Sequence, residues 1–369
     1  MRVLILADAQ FAKHERALIE RVVVGLAVEG VESQLVLPKG RGLWGFGVGV
    51  LGDPIWYADR GLLITQKIRA AQIARSLAER ADDSSRPVDI VHVMGGGAWG
   101  MGRELARLLD AGLALEVWRA GLADQAKGLN LNEDDRAMFL VPERSFEDSM
   151  RRSVSDAIVR CVPWGASVPD TPVPVFREDK LTSIVLMGSG RQNEICQAAF
   201  EGLAEAVASR SDAMIFANLE LVERAGLWKR VKSHKLQDRF TVIDRSEDRR
   251  DLLLRCDVLV YPETLHEERT LLLDAMGAGL VVITGEDEKI QALSEDSGVI
   301  VVQPPTADQW AQSVRSIIAS RDLAEKHAKQ VRDYIRTNRR SGLHIESLSD
   351  AYTDLVEMKK SKTEQASAG

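Results

Sequence analysis

Short apolar runs alternate with longer amphipathic stretches along most of the chain. In the first half the apolar runs are Val3 to Leu6, Ser33 to Leu37, Asp89 to Met94, Leu113 to Trp118 and Ala157 to Val162. Stretches with a helical period separate them, at 15–29, 62–79, 102–111 and 143–150. Strands that are separated by helices form parallel sheets with both faces covered. The first half therefore predicts a Rossmann-like, doubly wound α/β domain.

A polar stretch with two prolines, DTPVPVFREDK at 170–180, interrupts this alternation and predicts a linker. The alternation then restarts. It predicts strands at 183–187, 213–217, 240–243, 258–261, 281–284 and 298–302. It predicts helices at 195–209, 219–231, 248–255 and 271–276. A long amphipathic region, 306–358, predicts further helices with a break near Ser341 and Gly342.

Two α/β domains follow from these patterns. We expect an N-terminal domain over residues 1–170 and a second domain over residues 171–345. The helix at 346–358 is expected to pack back on the first domain, and the polar tail at 359–369 is expected to be disordered. A cleft between two such domains is a natural place for a ligand.

Composition narrows the class of protein. The formal net charge of -7 argues against broad binding to nucleic acid, which needs a positive surface. The three cysteines, Cys161, Cys196 and Cys256, have no CxxC spacing and indicate reduced thiols rather than disulfides. The apolar start of the chain is too short for a signal peptide, and no run is long enough to span a membrane. We therefore expect a cytoplasmic protein.

One stretch, Asp257 to Thr284, is the most informative. An apolar strand closed by Pro262 leads through a loop to a helix that ends on Gly277 and Gly279, and a second strand follows. The carboxyl end of a strand that feeds a helix N-terminus is where ligands bind in open α/β sheets. A ligand site is therefore expected in this loop.

Two glycine-rich turns are further candidates for close contact with a ligand. Gly188, Gly190 and Arg191 follow the strand at 183–187, and this short pattern suits either a phosphate contact or an ordinary turn with a solvated arginine. The run Gly95 to Gly102 follows another strand, and it suits either close backbone contact with a phosphate or another ligand, or a flexible strand-to-helix turn.

A glycine-rich segment with four aromatic residues, Gly42 to Tyr57, has two interpretations. Exposed rings on such a loop would stack on a sugar or enter a membrane surface. Alternatively, the rings pack back on the domain, as amphipathic aromatic side chains usually do.

The C-terminal half resembles the family-4 (group 1) retaining glycosyltransferases of the GT-B fold. IVLMGSGRQNE is similar to the family's strand that ends in a glycine and a basic residue, and VPWGASVP is similar to its V-P-x-G-V element. The run DLLLRCDVLVYPETLHEERTLLLDAMGAGLVVIT resembles the family's strand "A-D-v-x-v-x-P-S", acidic loop and "E-A-M-A-x-G-x-P-V-V-A-T". The resemblance covers roughly residues 155 to 300.

This resemblance implies a donor site for a nucleotide-sugar. Asp274 aligns with the family's ribose-binding Glu, and the family's hexose-binding Glu falls on His266, or on Glu267 if the loop shifts by one residue. Arg191 would contact the diphosphate beside Gly188 and Gly190, and Thr270 would belong to the donor site. The implied catalytic residues are Arg191, His266 and Glu267, and no metal or other cofactor is implied.

The N-terminal domain would bind the acceptor, which is unknown and could be a glycan, a lipid or a small molecule. Gly95, Gly96, Gly97 and Arg119 are the acceptor-side candidates. Contact with the inner face of a membrane would run through Gly42 to Tyr57.

The donor motifs depart from the family pattern at several positions. Glu194 stands where the family has a Lys, and Glu267, Glu268 and Arg269 stand where it has small residues before the helix. These departures suit a degenerate relative that binds a sugar, a nucleotide or a partner enzyme without turnover. A third interpretation keeps the fold and changes the reaction to an epimerase-like or phosphorylase-like one.

Overall fold

The computed structural model describes residues 1–40, 53–59, 65–80, 86–132, 135–154, 157–172, 175–177, 181–243, 252–253 and 255–368, with side chains to residue 358. The chain divides into two compact units. Unit 1 contains Met1–Trp164 and Ser341–Gly369, and unit 2 contains Gly165–Arg340. The two divisions lie shortly before the expected boundaries at residues 170 and 345.

Unit 1 is built on a seven-stranded parallel sheet with the order β3-β2-β1-β4-β5-β6-β7. Its strands are β1 (Arg2–Ala7), β2 (Glu32–Pro38), β3 (Ile55–Tyr57), β4 (Ile90–Met94), β5 (Gly112–Glu116), β6 (Ala137–Val141) and β7 (Ile158–Cys161). The register pairs Ile5 with Leu35 on one side and with His92 on the other. Val3 to Ala7 are fully buried, because helices cover both faces of the sheet.

The helices of unit 1 before the linker are α1 (Ala9–His14), α2 (Arg16–Val28), α3 (Thr65–Arg80), α4 (Trp99–Leu109), α5 (Leu122–Lys127) and α6 (Arg144–Ser153). A 3-10 turn, Gly96–Ala98, joins β4 to α4. Asp8 is the N-cap of α1, since its side chain accepts a hydrogen bond from the N–H group of Phe11.

Unit 2 has a six-stranded parallel sheet with the order β10-β9-β8-β11-β12-β13. Its strands are β8 (Thr182–Leu186), β9 (Ala213–Asn218), β10 (Phe240–Ile243), β11 (Val258–Tyr261), β12 (Val281–Gly285) and β13 (Ile300–Val302). Unit 2 contains the helices α7 (Asn193–Val207), α8 (Leu219–Arg224), α9 (Leu227–Ser233), α10 (Thr270–Ala278), α11 (Ala307–Ala319) and α12 (Arg321–Asn338). The prediction of two doubly wound, parallel α/β domains is confirmed.

In both sheets the strand order reverses beside the first strand of the unit. The reversal lies between β1 and β4 in unit 1, and between β8 and β11 in unit 2. The loops at the carboxyl ends of such strand pairs diverge and leave a crevice. Both glycine-rich turns predicted from the sequence lie at these points, after β4 and after β8.

The last helix, α13 (Ser341–Ala368), returns to unit 1 and packs against α2, β4 and β5. It continues to Ala368, through most of the tail where the sequence predicted disorder. Close packing on α2 requires a glycine, since a Cβ atom at Gly25 would lie 2.4 Å from Cγ1 of Ile345.

A buried polar cluster, His92, Glu116, Trp164 and Tyr352, joins this helix to the sheet. The Tyr352 hydroxyl lies 2.7 Å from Nδ1 of His92, and Nε2 of His92 lies 3.1 Å from Glu116. The indole N–H of Trp164 donates to the other carboxylate oxygen of Glu116 over 2.6 Å. These side chains hydrogen-bond to one another in a region that is buried from water, where polar groups need such partners.

Candidate functional site

The loop between β11 and α10 contains a strained turn. Leu265 and His266 both have left-handed backbones, with φ of 59° and 53°. The N–H group of Glu267 donates to the carbonyl oxygen of Thr264 over 3.1 Å. Positive φ at both central residues and this hydrogen bond define a type I′ turn. Neither central residue is a glycine, so the conformation depends on contacts from its surroundings.

Asp287, two residues after β12, supplies those contacts. Its carboxylate accepts the backbone N–H of His266 over 2.9 Å and lies 2.8 Å from Nδ1 of the same histidine. It also accepts the N–H of Lys289 over 2.9 Å. The Asp287 side chain is fully buried, while that of His266 is half exposed. Asp287 therefore orients the imidazole ring at the protein surface.

The structure brings two of the predicted residues together. The guanidinium group of Arg191 donates to Oε1 of Glu267 over 2.7 Å, and its Nε donates to the Ser189 hydroxyl over 2.9 Å. The other carboxylate oxygen of Glu267 accepts from Arg269. Glu267 is 3% exposed and Arg191 is 38% exposed, so a buried carboxylate holds a partly exposed cation.

Helix α10 begins directly after this group. Arg269 is the N-cap residue of this helix, and its side chain makes no capping hydrogen bond to the first N–H groups of the helix. Thr270 is buried in the first turn, and Asp274 is half-buried one turn later. Chain connectivity thus places both predicted donor residues in the first two turns of the helix that follows the loop.

The glycine loop of unit 2, Gly188–Gln192, is occupied by a carboxylate that the sequence did not single out. Glu263, which is 1% exposed, accepts the N–H groups of Gly190 and of Gln192, the latter over 2.8 Å. A Cβ atom at Gly188 would lie 3.1 Å from Oε1 of Glu263. Burial and the Glu263 carboxylate both raise the pKa of the Cys196 thiol, which lies in the first turn of α7.

The acceptor-side candidates of unit 1 surround a similar carboxylate, that of Asp8. Asp8 accepts the N–H of Gly97 over 2.9 Å and that of Phe11 over 2.7 Å. Gly95 has a φ of 105°, and a Cβ atom there would lie 2.3 Å from the Asp8 carboxylate. Gly96 packs on α5, since a Cβ atom would lie 2.4 Å from Leu122.

The positive charge of Arg119 interacts with the carboxylate of Asp8. The pKa of Asp8 is raised above its usual value, chiefly because the carboxyl group is buried. Hydrogen bonds from the N–H groups of Phe11 and Gly97 lower the pKa, the negative charge of Asp59 raises it, and the positive charge of Arg119 lowers it. Arg119 also lies over the Trp118 ring, 5.2 Å from the ring centroid. Gly95, Gly97 and Arg119 are therefore brought together by one carboxylate.

The three carboxylates that sequence reasoning missed share one signal. Asp8 directly follows β1, Glu263 follows β11 after one proline, and Asp287 follows β12 after one residue. Each stands just beyond the carboxyl end of a parallel strand, where side chains meet those of the neighbouring loop. An acidic residue just beyond the end of a predicted strand was therefore the sequence signal that could have identified these three carboxylates.

Part of the aromatic segment Gly42 to Tyr57 lies outside the described residues, including Trp44 and Phe46. At its end, Tyr57 is buried in β3 and its hydroxyl donates to the Ala7 carbonyl over 2.9 Å, while Trp56 is half-buried. In the described part of the chain, no helix is long and apolar enough to cross a bilayer.

Comparison with known proteins gives a family match for part of the chain and a shared fold for nearly all of it. Residues 220–335 match the family described as "Glycosyl transferases group 1". No curated protein matches the chain significantly. Among solved structures, sucrose-phosphate synthase from Thermosynechococcus elongatus superposes with a TM-score of 0.74 at 15% identity, over 97% of this chain and 100% of that one.

Two further structures are similar over nearly their whole length. HepE from Anabaena, solved in complex with UDP and glucose, has a TM-score of 0.73 at 9% identity, over 96% of this chain and 99% of that one. A glycosyltransferase from Rickettsia africae has a TM-score of 0.66 at 15% identity, over 96% and 98%. At these identities the structures show a shared fold, and the predicted GT-B architecture is confirmed.

Proposed function

We propose that this chain, whose residues 220–335 match the group 1 glycosyltransferases, is an enzyme that transfers a sugar from a nucleotide-sugar donor to an acceptor, with retention of anomeric configuration. The observation that carries the proposal is the position of this match. It spans the strained loop at 262–269 and helix α10, where the candidates His266, Glu267, Thr270 and Asp274 lie. HepE, a structural neighbour, was solved with UDP and glucose, which supports a nucleotide-sugar as the donor class.

In this proposal unit 2 binds the donor. Asp274 accepts hydrogen bonds from ribose hydroxyl groups, and His266, oriented by Asp287, contacts the hexose. Arg191 contacts the diphosphate and offsets the negative charge that develops as the diphosphate leaves. Glu267 holds the guanidinium group of Arg191 in place. The reaction proceeds without a metal ion, because this cation takes the role that a metal would have.

Unit 1 contributes the acceptor side of the proposal. The Gly95–Gly97 turn allows an acceptor to approach the backbone closely, and Arg119 offers hydrogen-bond donors beside it. Contact between the segment Gly42 to Tyr57 and a membrane surface would suit a lipid acceptor. Flotation of the protein with anionic lipid vesicles tests this contact, and a protein that stays unbound at low salt contradicts it.

Calorimetry with a panel of UDP-, GDP- and ADP-sugars tests the donor assignment. One nucleotide class should bind, and Arg191→Ala should weaken its binding about tenfold or more, as expected for a lost charge-assisted hydrogen bond. Asp274→Asn should weaken binding of the free nucleoside as well, since it acts on the ribose. Glu288→Gln, which removes one negative charge at an exposed position, is the matched control for Asp274→Asn. If no nucleotide-sugar binds, the proposal is wrong.

A second candidate function is binding without turnover. It is favoured by the engagement of Arg191 with Glu267 and by the occupation of the glycine loop by Glu263. Such a protein would bind a sugar or nucleotide and show neither transfer nor donor hydrolysis. Any transfer or hydrolysis that Arg191→Ala abolishes excludes it.

A further inference from the structure

The side chain of Glu263 crosses from the end of β11 to the glycine loop after β8. Its two oxygens accept the N–H groups of Gly190 and Gln192, directly before helix α7. At 1% exposure it is as buried as a core residue. A fixed internal anion therefore sits on the backbone amides that a glycine loop before a helix usually offers to a phosphate.

A second anion cannot share these amides. Each N–H group has one hydrogen, and both hydrogens are already directed at the carboxylate. A phosphate at the same place would also lie beside a like charge in a site from which water is largely excluded, where repulsion is poorly screened. The thiol of Cys196 also faces this carboxylate, and its raised pKa keeps it neutral rather than adding another charge.

We propose that Glu263 is a specificity-determining residue. Its carboxylate occupies the N–H groups of Gly190 and Gln192, so that a phosphate is contacted by the side chain of Arg191 instead of these amides. The inference rests on the proposed function, because the excluded anion is the diphosphate of the donor. Arg191 follows Gly190 directly, yet its guanidinium group points to Glu267 and is 38% exposed. The loop thus separates its backbone amides, which are closed, from its cationic side chain, which an external anion can reach.

Inorganic pyrophosphate is the probe that tests this division, because it has the phosphates without nucleoside or sugar. Calorimetry compares the wild type with Glu263→Ser, Arg191→Ala and the variant with both changes. Glu263→Ser removes the charge and opens the two amides, so pyrophosphate should bind about tenfold tighter or more. Arg191→Ala should abolish the pyrophosphate binding that the wild type shows. The double variant should still bind pyrophosphate, through the N–H groups of Gly190 and Gln192.

Two controls keep the outcome interpretable. Glu288→Gln changes the net charge equally at an exposed position and should leave pyrophosphate binding unchanged. Glu263→Gln keeps the shape of the side chain, and it replaces Glu263→Ser if the latter does not fold. The inference is overturned if Glu263→Ser, or Glu263→Gln in its place, folds and binds pyrophosphate no better than the wild type.

The result separates this inference from the proposed function. Failure of every nucleotide-sugar to bind the wild type overturns the proposed function, while a gain of pyrophosphate binding in Glu263→Ser still supports the role of Glu263. Conversely, a wild type that binds nucleotide-sugars, with Glu263 variants that gain nothing, supports the function and contradicts the inference.

Discussion

The carboxylate of Asp287 is fully buried and serves three groups at once, two backbone N–H groups and the ring of His266. It stabilises a type I′ turn in which Leu265 and His266, neither of them a glycine, both have positive φ. A single buried side chain from the next strand thus sets the conformation of the loop that precedes α10.

Asp287→Ala should lower the free energy of unfolding by at least about 2 kcal/mol, because each buried N–H group left without its acceptor costs about 1–3 kcal/mol. Urea denaturation measures the change. Glu288→Ala, whose side chain is 75% exposed, should stay within about 0.5 kcal/mol of the wild type. Equal small changes in both variants would contradict the role given to Asp287.

Asp135 predicts a dependence of stability on pH. Burial alone raises its pKa, but hydrogen bonds from Arg107, from the Asn132 N–H and from Arg103 outweigh burial and hold the pKa below its usual range. Because the folded pKa is the lower one, the carboxylate stabilises the protein above the unfolded pKa of about 3.9. This contribution is lost as the pH falls through the folded pKa.

Asp135→Asn should therefore lower the melting temperature at pH 7 and at pH 5, and the difference from the wild type should shrink below about pH 4. Thermal unfolding followed by circular dichroism at each pH measures it. A difference that stays constant down to pH 3 would show that the charge of Asp135 is not what stabilises the fold.

At the scale of elements, the apolar runs predicted most strands well, whereas the helical periodicity predicted the ends of helices less well. The strands at 240–243 and 258–261 agree with β10 and β11 residue for residue. One helix predicted at 219–231 is two helices, since Gly226 has a left-handed φ of 64° between them. The strands β3 and β6 were missed, and β3 lies at the end of the segment Gly42 to Tyr57, whose glycines had indicated a loop.

The candidate site shows the same division between local and distant information. A resemblance along the chain placed Arg191, Glu267 and α10 in one site, and the ion pair of Arg191 with Glu267 agrees with their proximity. The partners Glu263 and Asp287 belong to contacts between loops far apart in sequence, which pairing of parallel strands creates. Hydrophobic periodicity contains no information about such contacts.

Close helix packing in unit 2 gives a prediction at this scale. A Cβ atom at Gly202 of α7 would lie 2.4 Å from the Ala307 carbonyl oxygen and 2.6 Å from Cβ of Trp310, in α11. Gly202→Ala should lower stability by about 1–3 kcal/mol through overpacking, although alanine favours helices by about 1 kcal/mol.

Gly342→Ala is the matched control, since a Cβ atom there meets no atom within 4 Å. It should be neutral or stabilising by up to about 1 kcal/mol. Chemical denaturation of both variants measures the contrast. Similar effects at both glycines would contradict the packing argument.

At the scale of the whole molecule, unit 1 is discontinuous in sequence. Helix α13 comes after all of unit 2, and Tyr352 on it completes the buried cluster with His92 and Glu116. A chain cut after Arg340 should lose hydrogen-exchange protection in β4 and β5, because the cluster and the packing of α13 are gone, while β8 and β11 stay protected. A chain cut after Met358 should keep protection throughout. Equal protection in both truncated chains would contradict this role of α13.

The return of α13 also has a consequence for biosynthesis. On the ribosome, all of unit 2 emerges between the two segments of unit 1. At about 5–20 residues per second, the sheet of unit 1 waits for its covering helix for roughly ten seconds or longer. During that interval Gly25 and His92 lack Ile345 and Tyr352, the partners that α13 brings. Nascent chains should therefore bind chaperones at unit 1 until translation passes Tyr352.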